Sequence, residues 1–335
     1  MTIARPIRVT ARAAPRHYAA PRRRPAPRRR AAPRRQSGIA LIMALWLTVL
    51  LTAIASGFVF SMRTDALSAR NAISLAQAQE VADGAVMRTA FELMRPTMAA
   101  SWKPDGTVHR WTDGNASVTV VAVDEGSRID INAAPDPLIK SLLMQVGGMD
   151  DASASALVDA IADWRDPDDL RRPNGAEATD YKAAHLNYGP ANAPFETVGE
   201  VSRVLGMTPA VFARIRDAIT VYSHLPGVDT ATAGRAVLLA LPGATPDVVD
   251  AFIAQRADAL AQGLPPPRFP LAQGYAGGAP SVWRIDAQAT LTDGVTFARD
   301  AVLRRSPDPR QPPITLAWDV APAAAPPATQ QLALR

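Results

Sequence analysis

The sequence predicts an α+β fold: a long N-terminal helix packed on an antiparallel sheet, with a large α-helical domain inserted between the strands. Three observations carry this expectation. An uncharged apolar run continues directly into an amphipathic helical pattern, β-rich segments lie on both sides of the middle of the chain, and that middle is helical by periodicity.

Residues 1–38 hold twelve of the 36 basic residues and no Asp or Glu. Removing those arginines leaves 24 basic against 31 acidic residues, so the remainder carries −7 although the whole chain carries +5. The basic balance belongs to the leader and says nothing of a nucleic-acid footprint on the folded part. Its Pro/Arg/Ala repetition has almost no large apolar residue, cannot bury a core, and reads as a disordered arm or leader. The chain has no cysteine, so an exported domain has no disulfide, and any staple has to be a metal or a partner.

From Ile39 to Met62 there are 24 positions without a charge, and about 20 suffice for a helix to cross a bilayer. Arginines before this run and mixed charge after it keep the N-terminus cytoplasmic and send the rest across the membrane. A secretory signal would carry its small-residue cleavage site after a shorter apolar run. Here the small residue, Gly38, lies before it, so a cut at that point leaves the apolar helix on the mature chain. A plain uncleaved signal anchor is the competing reading.

The helical pattern continues through Leu67, Ile73, Ala76, Val81, Val86, Ala90, Leu93 and Met94 in steps of mostly three and four, until Pro96. A helix from Ile39 to Met94 would be about 80 Å long. Next, Asp113-Gly114 is a turn signal and Ser117 to Val123 a β-rich run. Near the other end the pattern alternates around Asp293-Gly294 as a hairpin, and "ITLAWDV" offers another strand. The middle contains two similar pieces, "IDINAAPDPLIKSLLMQVGGMDDASASALVDAIADWR" and "VDTATAGRAVLLALPGATPDVVDAFIAQR". Each has a β-like entry, a short apolar helix, a glycine-containing bend and a second helix, an internal repeat. The organisation is a leader at 1–38, a transmembrane helix at 39–62, its exported continuation at 63–98 and first strands at 108–130. A helical insert at 131–280, closing strands at 281–320 and a disordered tail at 321–335 follow.

"ADWRDPDDLRRPNGAEATDY" concentrates Asp163, Asp166, Asp168, Asp169, Glu177 and Asp180, with Asn174. Close, irregularly spaced oxygen donors suit Ca²⁺, but the spacing is not an EF-hand. The residues alone favour a solvated polar loop, with Arg165, Arg171 and Arg172 available to neutralise it by salt bridges.

Taken together and in order, "RRQSG|IALIMALWL", "RIDINAAP", "LVDAIADWRDPDD", "RPNGAE", "FETVGEVSRVLGMTP" and "ITVYS" resemble the minor pseudopilin K family of type II secretion systems. The resemblance spans about Arg34 to Asp319. It implies a pilin-like head with a helical domain inserted in its sheet, and a role as the cap of a short periplasmic pseudopilus that helps start assembly. It implies partners: minor pseudopilins I and J, the major pseudopilin, the inner-membrane platform and prepilin peptidase, which would cut after Gly38 and methylate the amine of Ile39. It also implies calcium in the helical domain, with Asp166, Asp168, Asp169, Glu177 and Asp180 as the ligand set. Pilins of this class normally carry Glu at the fifth mature position, where Met43 stands here. A subunit without that carboxylate lacks the usual means of docking beneath another, which suits the first subunit of a filament. The long leader departs from the short ones usual in the family.

Two other classes compete. A signal-anchored helix-hairpin-helix module would bind DNA through hairpin N–H groups, but in "LPGATP" only Gly243 remains, Pro246 removes a donor, and the chain after the leader is acidic. An enzyme would need reactive groups. His109, His185 and His224 sit in loop-like sequence without a metal pattern, no serine lies in a nucleophile-elbow motif, and Trp164 reads as core. A tip subunit of another type IV pilus-like machine is the nearest alternative.

Overall fold

The computed structural model describes residues 37–95, 102–278, 281–308 and 310–322. Most of the leader, the stop at Pro96 and most of the tail 321–335 lie outside the described residues. Helix α1 runs from Ser37 to Met94. The chain forms two compact units, divided between Thr64 and Asp65.

In the first unit every side chain from Ile39 to Met62 is exposed. Its threonine hydroxyls bond within the helix: Thr48 donates to the Leu45 carbonyl at 2.8 Å, Thr52 to that of Thr48 at 2.7 Å and Thr64 to that of Phe60 at 3.0 Å. An apolar surface with its polar groups bonded internally is what a bilayer requires of a helix.

In the second unit, α1 turns a stripe of small residues to the sheet. Ala78, Ala82, Ala85, Val86, Thr89, Ala90 and Leu93 are all buried, and their three- and four-residue spacing keeps them on one face. The sheet has five antiparallel strands in the order β1-β2-β5-β6-β7. The strands are β1 (Asp105–Asp113), β2 (Ala116–Asp124), β5 (Val282–Leu291), β6 (Thr296–Arg304) and β7 (Ile314–Val320). Period-two alternation places Val118, Val120, Ala122, Trp283, Ile285, Ala287, Ala301 and Leu303 in one core with α1. Asp113-Gly114 and Asp293-Gly294 lie at the two hairpin turns, with both glycines at positive φ, 55° and 88°. Ser74 of α1 donates to Asp293 at 2.7 Å and pins the second turn to the helix.

His109 lies in strand β1 rather than in a loop. Its ring stacks on Trp102 at 3.7 Å, with Trp111 beside them and Arg88 of α1 over Trp111. Together they close the core under the sheet edge.

The chain between β2 and β5 forms the inserted domain. Its first segment, β3 (Ile129–Asp130), pairs in parallel with β4 (Ile219–Thr220), a two-residue ladder absent from the pattern reading. Helices α2 (Asp136–Gln145), α3 (Asp151–Arg165), α4 (Ala178–Ala183), α5 (Pro209–Ile215), α6 (Arg235–Leu239) and α7 (Pro246–Ala261) follow. Within the middle expected to be helical by periodicity, Val198–Arg203 is a 3-10 helix. The repeat survives as the pairs α2–α3 and α6–α7, which share one core through Leu138, Leu142, Leu157, Ile161, Leu238, Val249 and Phe252. Asp130, fully buried, organises the entry. Its carboxylate accepts from the N–H groups of Asn132, Ala133 and His224 and from the Ser223 hydroxyl. Asn132 then joins both backbone groups of Phe195, donating to its carbonyl at 3.0 Å and accepting from its N–H at 2.8 Å.

One buried ionic cluster fastens this domain to the sheet. Glu125, 1% exposed, accepts from Arg284 of β5 at 2.8 Å and Arg128 at 3.0 Å, and also from the Thr220 hydroxyl. Arg284 also bonds Asp300 of β6. A buried carboxylate is tolerable here because two guanidinium groups and a hydroxyl replace its water.

Candidate functional site

Two places carry the chemistry expected from the sequence: the start of α1 and the loop after α3. At the first, Gly38 has nothing within 4 Å of where a Cβ would stand. Packing therefore does not demand glycine there. Ile39 follows, 60% exposed. One helix among the described residues is long and apolar enough to cross a membrane.

At the second, α3 ends at Arg165 and the chain turns through Asp166–Glu177 into α4. The loop is pressed tightly against α3. A Cβ on Gly175 would stand 1.9 Å from Asp163 Oδ2, so any other residue would have to displace the Asp163 carboxylate. Asp163 is fully buried and accepts the Arg172 N–H at 3.2 Å. Burial raises its pKa, partly offset by the N–H groups of Arg172 and Ala176. Asn174 is turned to Asp159, donating its backbone and side-chain N–H groups at 3.1 and 3.0 Å.

Glu177 precedes α4 and is 6% exposed. Neither of its carboxylate oxygens has a hydrogen-bond partner, and Asp166 Oδ1 and Asn192 Oδ1 are also buried without one. Burial raises the pKa of Glu177, and the negative charges of Asp163, Asp166, Asp169 and Asp168 raise it further. Asp166 is raised in the same way, by burial and then by Asp168 and Asp163. Asp168 accepts the Leu170 N–H at 2.8 Å, and Asp169 accepts from the Asn192 amide at 2.9 Å.

The arginines have other partners. Arg172 bonds Asp136 at 2.8 Å, Arg165 donates to the Ile131 carbonyl, and Arg171 pairs with Asp180 at 3.0 Å. Among the described residues none of the three bonds Asp166 or Glu177, so salt bridges do not resolve the crowding. Asp180 separates from the expected ligand set. One of its oxygens takes Arg171, and the other accepts the Glu177 N–H at 2.9 Å as a helix cap.

Asn192 is the residue that sequence reasoning missed. It lies outside the acidic stretch, in the left-handed region at φ 49°, and carries a neutral oxygen suited to a hard cation. Among the described residues no three Asp, Glu, His or Cys side chains are grouped closely enough to hold a metal as they lie. The loop therefore presents buried, unpartnered oxygens on Asp166, Glu177 and Asn192 rather than a finished cage, and the cavity of about 310 Å³ beside Asp166 is lined also by Arg165 and Arg172. These orphaned, mutually repelling oxygens fit a hard divalent cation. Behind them, Trp164 is 3% exposed and stacks on Phe195 at 5.8 Å, a core role as its sequence context suggested.

In both bends of the repeat, backbone N–H groups are taken by the protein's own carbonyls and caps. In the α2–α3 bend the N–H groups of Val146, Gly147 and Met149 donate to carbonyls of α2, and the Asp150 carboxylate caps α3. In the α6–α7 bend the Ala244 N–H is bonded to Leu241 and Thr245 caps α7.

With this geometry in hand, comparison with known proteins is specific. Residues 122–224 match the family described as type II secretion system protein K, first domain. The type II secretion system protein K of Klebsiella pneumoniae is 28% identical over 228 residues, 61% of this chain and 69% of the relative. The protein of the same name from Pseudomonas aeruginosa is 25% identical over 242 residues, 64% and 72% of the two chains. That of Dickeya chrysanthemi is 37% identical over a shorter stretch of 73 residues, 22% and 20% of the two chains. In fold, the chain is similar to one in the crystal structure of the GspK-GspI-GspJ complex from the enterotoxigenic Escherichia coli type 2 secretion system. The TM-score is 0.56 at 13% identity, covering 78% of this chain and 99% of that one. The apolar N-terminal helix, the sheet opened by a helical insert and the matching sequences agree: residues 122–224 carry a type II secretion system protein K domain, and the chain is similar to proteins of that name over 61–64% of its length.

Proposed function

We propose that this minor pseudopilin caps the tip of the periplasmic pseudopilus and helps start its assembly, with minor pseudopilins I and J as its immediate partners. The observation that carries the reading is the protein K domain at residues 122–224 set behind a helix with 24 uncharged positions. The role is one of assembly rather than catalysis. Prepilin peptidase cuts after Gly38 and methylates Ile39. Before the cut the arginine-rich leader stays in the cytoplasm, and the domain after α1 lies in the periplasm. Met43 in place of the usual acidic residue leaves this subunit without a carboxylate to dock under another, which supports a position at the head of the filament. The major pseudopilin and the inner-membrane platform are its further neighbours.

In this reading the loop after α3 binds Ca²⁺ through Asp166, Asp168, Asp169 and Glu177, with the Asn192 oxygen completing the set; Asp180 contributes by capping α4 instead. The ion supplies the concentrated positive charge that lets these oxygens share one space. Asp163 and Gly175 hold the loop on α3, and the Asn192–Asp169 bond ties the segment before Phe195 to it. In a chain without disulfides, such a site is a staple.

Intact-mass measurement of the membrane-extracted protein, made with and without prepilin peptidase, tests the processing. The expected product is a chain beginning at methylated Ile39, seen only with the peptidase. Recovery of that chain together with I and J tests the tip assignment. An uncut chain with its leader would make it a signal-anchored protein instead.

A further inference from the structure

The turn from β2 into the inserted domain contains two consecutive buried carboxylates with opposite circumstances. Glu125 is paired on all sides, as described above. Asp124 is also 1% exposed, yet its Oδ2 has no partner, while Oδ1 accepts the Gly126 N–H at 3.0 Å. The charged groups around it come from each neighbouring segment. Asp229 faces it from the chain after β4, and Glu125 adjoins it, already committed to Arg128 and Arg284. On β5 its register partner is Trp283, with Arg305 over that ring. Before β1 the Pro104 carbonyl accepts the Asp124 N–H, with Lys103 the preceding residue.

Three segments meet around this carboxylate through main-chain bonds. The Asp229 N–H donates to the Gly126 carbonyl at 2.7 Å, the Val228 N–H to Tyr275 at 2.8 Å, and the Gly277 N–H back to Val228 at 2.8 Å. They are in backbone contact: a Cβ on Gly227 would stand 2.4 Å from the Tyr275 oxygen, and one on Gly277 would stand 2.8 Å from the Asp229 nitrogen. Leu225 covers the carboxylate, since its Cδ1 would lie 3.2 Å from a Cβ on Gly126. Moving the 225–233 segment therefore moves the 274–278 segment with it.

We propose that Asp124 is a proton-operated latch at this joint: a proton taken from solvent onto Oδ2 seats the 225–233 and 274–278 segments against the end of β2, and its loss loosens both. The driving force is the opposition of an ionised, unpartnered Asp124 to burial and to the Asp229 charge, both relieved when Asp124 takes up a proton. In support, burial first and then Asp229 and Glu125 raise the Asp124 pKa to about 6, against the Gly126 N–H, which lowers it. The sign follows. The folded carboxyl holds a proton at pH values where the unfolded one, near 3.8, does not. The latch therefore gains stability as pH falls through about 6 and is weakest above it. The inference does not rest on the secretion role, because it is measured on the purified chain.

The test is amide hydrogen exchange of the full-length protein in detergent, read by mass spectrometry at about pH 5 and about pH 7.5, with chelator present and intrinsic rates corrected. Protection of peptides covering 225–233 and 274–278 is expected to be roughly tenfold greater at the lower pH, with α3 peptides unchanged. Asp124→Asn, which imitates the protonated group, should hold both segments at high protection at either pH. Asp229→Asn, the second variant should the first not fold, should shrink the difference in part, because it removes the Asp229 charge and leaves the burial of Asp124 unchanged. Equal protection of the wild type at the two pH values, or an undiminished pH effect in these variants, overturns the latch.

Discussion

Arg299 faces α1 from β6 and is 5% exposed. Its guanidinium bonds both Asp83 carboxylate oxygens, at 2.6 and 3.2 Å, and lies between the rings of Phe297 and Trp318. A stripe of alanines lets α1 approach the sheet closely but gives it little grip along the helix axis. The Arg299–Asp83 fork supplies the registration. Removing the acid alone leaves a guanidinium buried without its partner. Asp83→Ala should therefore cost about 3 kcal/mol, read as a lower urea midpoint of the detergent-solubilised protein. At this scale the sequence was only partly legible. Asp163 stood out because it lies in a visible run of acids, but Asp83, Glu125 and Asp124 look like ordinary surface acids in the sequence. Their meaning comes from partners more than a hundred positions away, such as Arg299 and Arg284.

Among the elements, those with long-period patterns were the ones legible in advance. The α1 periodicity, the alternation of β2 and the two Asp-Gly hairpins each rest on local chemistry that the residues state directly. The β3–β4 ladder was not legible, since two residues in each strand carry no alternation to read. Val198–Arg203 is a 3-10 turn rather than α-helix because Gly199 and β-branched Val198 and Val201 weaken a short helical pattern. The loop between α3 and α4 was visible as acidic, but its division of labour was not. The choice of Arg171 over a cation for Asp180, and the arrival of Asn192 from a separate segment, depend on the fold. In thermal melts, Ca²⁺ should raise the melting temperature above that in chelator. Glu177→Gln should abolish most of that rise while leaving the chelated protein as stable as the wild type or more so, because it removes a buried, unpaired charge. A full calcium response in the variant would remove Glu177 from the site.

For the whole molecule, the fold class was legible because a membrane-length helix, strands at both ends and a helical middle occur in one order, and the likeness to protein K because its motif strings occur in order too. What no local pattern revealed is which strands and side chains meet across the insert. The bond from Arg284 to Glu125 joins positions 159 residues apart, and β2 lies directly against β5. A ribosome delivers the chain from its N-terminus, so β1 and β2 emerge early and remain a bare hairpin, marginal on its own, until β5 arrives. The inserted domain thus has to fit its ends together before the sheet can close, and the last third of the chain completes what the first third began. A chain ending at Gly278 should show protease cleavage within 105–124 under conditions that leave the full chain intact there; resistance would mean that the hairpin is held without β5. The vectorial order of synthesis makes the final hairpin the closing step of folding, and leaves any prematurely terminated copy with an open strand edge that quality-control proteases can grip.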